Sequence, residues 1–202
     1  MSDLPGIVLS ALRGRARSGP GRLRLGVFCR GNQRLVEALL AEPWIHVVMG
    51  DRFGPLLAAH RRATAAARPA IVVEMRLDAI PARPRSLDAV VLARGLPTRI
   101  GTRECLEAFG RLLAPGGMLV WPHPVVDGAG GRIGRILVPV RPGTARPLRR
   151  HAICAEMMAA GFGDVRQTLG RQGPAPWAVT TGRMGPRPWD PDPEQIFIRR
   201  TI

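Results

Sequence analysis

The chain has 202 residues, 46% of them apolar, and a net charge of +15 in which all 30 cationic side chains are arginine. That suits one domain with a sizeable core and excludes a disordered chain, while no apolar run approaches the roughly 18 residues of a membrane-spanning helix. Lysine and tyrosine are absent, which excludes Schiff-base chemistry, and Cys29, Cys105 and Cys154 lack the spacing of a zinc site or disulfide framework, so a reducing cytoplasm is expected.

Residues 1–22 read as a basic N-terminal arm, with Arg13, Arg15, Arg17 and Arg22 among glycines. Its apolar stretch Leu4–Leu12 follows Asp3 and has no basic n-region, which argues against a signal peptide. A short helix from Pro5 to Arg13 packed on the domain is one reading, and an electrostatic contact with a membrane surface or nucleic acid is another.

Leu23–Cys29 reads as a buried strand, Arg30-Gly31-Asn32 as a turn, and Gln33–Ala41 as a helix with Leu35, Val36, Leu39 and Leu40 on its apolar face. Trp44–Met49 is a second strand with Gly50-Asp51 after it. Phe53–Ala67 is an alanine-rich helix, and Ala70–Met75 is a third strand followed by Arg76-Leu77-Asp78. Ala89–Leu92 is a continuous apolar run, as in a strand covered on both faces. From Glu104 to Leu113 the period changes to that of a helix, with Cys105, Leu106, Phe109, Leu112 and Leu113 on one side. Pro115-Gly116-Gly117 ends it, and Met118–Trp121 is a fifth strand.

Val125–Arg150 is glycine-rich and basic, read either as an arginine-lined lid over an acidic substrate or as a solvated surface loop. His151–Gly161 is a helix with a glycine cap; Phe162–Leu169 and Trp177–Arg183 are strands; residues 185–202 form a Pro-rich tail. Strand and helix alternate at βαβ spacing over residues 23–184, which predicts one α/β domain built on a doubly wound, mostly parallel sheet.

The stretch SLDAVVLARGL…CLEAFGRLLAPGGMLVW resembles the centre of class I S-adenosylmethionine (SAM) dependent methyltransferases, whose fourth strand, helix and Pro-Gly-Gly turn occur in that order. VVMGDRFGPLL and RLDAIPARPRSLDAVV resemble the family's second and third features. The resemblance implies a Rossmann-like sheet of seven strands with an antiparallel last strand, SAM as cofactor, and in-line methyl transfer from its sulfonium to a small or lipid-like acceptor. It places Asp51 at the ribose hydroxyls and Asp78 at the adenine. Gly26, Gly31 and Asn32 fall in the cofactor loop, with Leu77 and Arg94 as further contacts.

In the glycine-rich loop, LRLGVFCRGNQR departs from the family pattern. Gly26 fits the first glycine, Arg24 stands at the acidic position, and Phe28 and Arg30 stand at the other two glycines. This carries the alternative reading, a catalytically inactive methyltransferase-like subunit that scaffolds a protein complex, RNA or an anionic membrane. The charge favours an anionic partner (RNA, anionic lipid or acidic protein), with peripheral membrane contact as a further option. A GC-rich coding sequence yields the same arginine, alanine, glycine and proline. No HExxH, GxSxG or metal-ligand pattern is present, and His123, after the fifth strand, is the one histidine placed to act as a base.

Overall fold

The computed structural model describes residues 3–16, 21–28, 33–51, 71–74, 80, 82–92, 101–124, 150–172 and 175–185. Within them the order is α1 (Leu4–Ala16), β1 (Leu23–Phe28), α2 (Gln33–Ala41), β2 (Ile45–Asp51), β3 (Ile71–Glu74), β4 (Leu87–Leu92), α3 (Thr102–Leu112), β5 (Leu113–Pro124), α4 (Arg150–Ala159), β6 (Phe162–Gln172) and β7 (Ala175–Met184). The expected helix Phe53–Ala67, the turn at Gly31-Asn32, the basic loop over residues 125–149 and the tail over residues 186–202 lie outside the described residues.

Among the described residues the strands form one seven-stranded sheet ordered β3-β2-β1-β4-β5-β7-β6. β1 pairs in parallel with β2 and β4, β2 with β3, and β4 with β5. β7 runs antiparallel to both β5 and β6. This is the doubly wound, mostly parallel class with an antiparallel last strand. Parallel neighbours need crossover connections, which is why strand and helix alternate in the chain.

Each strand run buries alternate residues on opposite faces. Leu25, Val27, Ala89, Val91 and Val120 belong to a core shared with α1 and α2. Val90, Leu92, Leu119 and Trp121 belong to a second core shared with α3 and α4. In α3 the expected helical face is the buried one, carrying Cys105, Leu106, Phe109 and Leu112.

The segment set apart as a basic arm contributes to the first core. Leu4, Val8 and Leu12 recur at helical spacing and are 4%, 0% and 0% exposed. Asp3 starts α1, its Oδ1 accepting the Gly6 N–H at 3.0 Å. Of the two readings of this arm, the packed helix is the one found, over Leu4–Ala16 rather than Pro5 to Arg13, because three apolar side chains on one stripe gain more buried than exposed.

Pairing of β5 begins one residue after α3 ends, at Leu113 opposite Leu87, and resumes at Met118 opposite Ala89. Pro115-Gly116-Gly117 is thus pushed out as a bulge inside the strand. Gly116 has φ 68°, and a Cβ on Gly117 would lie 2.7 Å from the Ala114 carbonyl oxygen, so the bulge requires glycine there.

Candidate functional site

From β1 the chain winds outward through β2 to β3 and then returns past β1 to β4 and β5. In open α/β sheets the crevice at such a reversal, outside the carboxyl ends of the strands, is where ligands bind. Here that crevice lies at the ends of β1 and β4. Phe28 and Leu92 are the last residues of those strands and are paired, with Gly50 of β2 on the other side of Phe28. Asp51, the last residue of β2, stands one step further out, opposite Glu74 at the end of β3. The backbone therefore carries Asp51 to the rim of the crevice.

β1 forms where the sequence reading put it, over Leu23–Phe28 against an expected Leu23–Cys29. Gly26 is an interior strand residue paired with Val48 and Val90, not part of the loop that follows. A Cβ there would lie 2.7 Å from Leu87 Cδ1 and 3.2 Å from Phe28 Cε2, so core side chains take up the space that the missing side chain leaves. Arg24 is the second residue of β1 and sits near the amino edge, about 13 Å along the strand from Phe28. There it grips Asp88, with Nε to Oδ2 at 3.0 Å, Nη2 to Oδ1 at 2.9 Å, and the Arg24 backbone N–H to Oδ2 at 2.9 Å. Hydrogen bonding from the Arg24 guanidinium, against some desolvation, holds the Asp88 carboxyl below its ordinary value and raises that of Arg24. Arg24 is thus a fork around a carboxylate at the opposite edge of the sheet, and does not replace a charge in the crevice. The Phe28 ring packs on Phe109 of α3, with centroids 4.7 Å apart and planes tilted by 46°.

His123 lies inside β5, which continues to Pro124, and pairs with Ala178 of β7. It is 3% exposed, and its Nε2 is 2.8 Å from Thr180 Oγ1. Gln167 Nε2 donates to the same hydroxyl at 2.9 Å. An edge-on ring contact joins His123 to Trp121, with centroids 5.9 Å apart. The imidazole expected beyond the strand as a base is therefore a buried ring held by a threonine, because the antiparallel β7 extends the sheet past the end of β4. Trp121 is 1% exposed, and among the described residues its indole Nε1 has no hydrogen-bond partner.

Of the residues read as cofactor contacts, Gly31, Asn32, Leu77, Asp78 and Arg94 lie outside the described residues. Thr180, Gln167 and Asp88 escaped the sequence reading as partners. Threonine is an ordinary strand residue, and nothing local marks which side chain it will meet. A groove of about 650 Å³ runs between α1 and the β6–β7 pair, with Ser10, Met118, Asp164, Arg166 and Arg183 among its lining. Among the described residues no cluster of side chains fits a metal ion, and no helix is long and apolar enough to cross a membrane.

No family model matches the chain, and no curated protein matches it. Solved structures do. The CurJ carbon methyltransferase aligns with a TM-score of 0.70 at 16% identity, over 91% of this chain and 53% of that one. The S-adenosylmethionine-dependent methyltransferase SibL aligns with a TM-score of 0.68 at 22% identity, over 89% and 54%. This is the class I SAM-dependent methyltransferase fold. The chain spans about half the length of these two neighbours. The [4+2]-cyclase SpnF shares the same methyltransferase-like fold, with a TM-score of 0.65 at 16% identity. One fold thus carries chemistry other than the methyltransferase names above, and activity has to be argued from the site.

Proposed function

We propose that the chain is a SAM-dependent methyltransferase that passes the sulfonium methyl in line to a small or lipid-like acceptor. The observation that carries this reading is the position of Asp51, at the last residue of β2 and beside the crevice where the winding reverses. A carboxylate at a strand's carboxyl end can accept hydrogen bonds from two vicinal ribose hydroxyls. In the same reading Asp78 and Leu77 line the adenine, and Gly31, Asn32 and Arg94 complete the cradle. Gly26 supports β1 from within the core.

SAM supplies a methyl group already activated by its sulfonium, so the residues here need to orient the acceptor more than to act as strong acids or bases. The description of one neighbour as a carbon methyltransferase makes an enolisable carbonyl compound a reasonable acceptor class.

Titration calorimetry with SAM and S-adenosylhomocysteine tests the reading. Heat is expected, and Asp51→Ala is expected to weaken binding at least tenfold through the lost charge-assisted hydrogen bonds. No heat at saturating cofactor would sink it. A second reading, an inactive basic subunit, is favoured by Phe28 standing at the mouth of β1 where the family pattern has a glycine. It requires binding to RNA or anionic vesicles that falls steeply with salt.

A further inference from the structure

His123 and Thr180 are the two buried polar side chains among the described residues, and they are bonded to each other. They sit at the carboxyl end of the sheet. Trp121 pairs with Thr180, Thr180 pairs with Gln167, and His123 is two residues further along β5. The Thr180 hydroxyl accepts the Gln167 amide N–H and, in the arrangement assigned below, turns its own proton to the Nε2 of His123. The imidazole proton is then on Nδ1, because a ring nitrogen that accepts cannot also carry the proton. The ring so fixed meets Trp121 edge-on. Gln167, Thr180 and His123 thus form a chain that reaches the indole ring.

The indole is an anomaly. Its N–H is buried and, among the described residues, has no hydrogen-bond partner, a state that Arg15 Nε shares. A buried donor without an acceptor is destabilising, and phenylalanine at this position would fill the core without that cost. A lone water needs two or more polar partners, and the residues that share the core cluster of Trp121 offer none. A ligand that brings an oxygen on an apolar body meets both conditions.

We propose that the Trp121 indole N–H is the hydrogen-bond donor for a carbonyl or enolate oxygen of the methyl acceptor, and that Gln167, Thr180 and His123 are positioning residues that hold the indole for it. Identifying that ligand as the acceptor rests on the methyltransferase reading. The donor site itself does not.

The test uses the full chain labelled with 15N-tryptophan and 15N-histidine. The four tryptophans give four indole signals, and Trp121→Phe identifies the relevant one. Acetylacetone, a small enolisable diketone, is titrated in with S-adenosylhomocysteine present. The Trp121 indole proton is expected to move downfield and saturate while the other three stay, and His123 is expected to show the Nδ1–H tautomer. Thr180→Val should weaken the response roughly tenfold, and Thr180→Ser should restore it. A Trp121 signal that does not move up to the solubility limit, with S-adenosylhomocysteine bound by calorimetry, overturns the donor assignment. A Thr180→Val chain that titrates like the wild type, or an Nε2–H tautomer, overturns the positioning chain. If acetylacetone moves the signal but S-adenosylhomocysteine gives no heat, the donor site stands and the methyltransferase reading fails.

Discussion

Gly26→Ala separates a structural glycine from a cofactor glycine. A Cβ at this position would come within 2.7 Å of Leu87 Cδ1 and 3.2 Å of Phe28 Cε2. Ordinary carbon contacts lie at about 3.5–4.0 Å, so the Leu87 methyl must give way by about 1 Å. Leu87 is 5% exposed and belongs to the core with Val90, Leu92 and Phe109, while the Phe28 ring is seated on Phe109, so neither neighbour can move freely. Overpacking of this kind costs about 1–3 kcal/mol. The smaller backbone entropy of alanine in the unfolded chain offsets about 0.4–1 kcal/mol of that. A net loss of about 1–2 kcal/mol is expected, or a melting point lower by about 2–8 °C for a domain of this size. Urea denaturation followed by circular dichroism measures it. Leu87→Val removes the Cδ1 atom, so Gly26→Ala should cost markedly less in that background, with the coupling read from the double-mutant cycle. The reasoning is refuted if Gly26→Ala leaves the midpoint unchanged while lowering affinity for S-adenosylhomocysteine, since the glycine would then serve the cofactor.

Asp88→Asn should lower stability at neutral pH by no more than about 1 kcal/mol, because half of the Arg24 side chain is in water. The folded-state value of Asp88 is depressed from 3.8, so its contribution is present above the usual aspartate range and is lost as pH falls through the folded value. The difference between wild type and variant should therefore close in acid, and a gap that persists unchanged with pH in the denaturation midpoints would contradict the ion pair. Burial, with a smaller effect from Glu104, pushes the Cys105 thiol up to about 11. Iodoacetamide at mildly alkaline pH should leave Cys105 unmodified in the folded protein and alkylate it in urea, as read by mass spectrometry. Equal labelling in both states would show that α3 does not bury it.

What residues 23–184 say locally was enough for the class of fold. A strand run such as Ala89–Leu92 and a helical stripe such as Cys105, Leu106 and Phe109 each announce the surface they will bury, because backbone geometry ties the period of the apolar residues to the element. That Asp51 stands at the end of the second strand was legible for the same reason. Partners across the sheet carry no such local mark. Arg24 meets Asp88 from 64 positions away, and His123 meets Thr180 from 57. Gly26 lay inside the expected strand and also matched a glycine pattern by spacing, and only the pairing register set it between Val48 and Val90. Leu4, Val8 and Leu12 read either as a packed helix or as part of a loose basic arm, and the apolar face of the sheet decided between them. Periodicity is a property of a segment and is written along it. Charge pairing, burial of a lone indole and the reason for a glycine are properties of what packs alongside, and these arise only when distant segments are brought into one register.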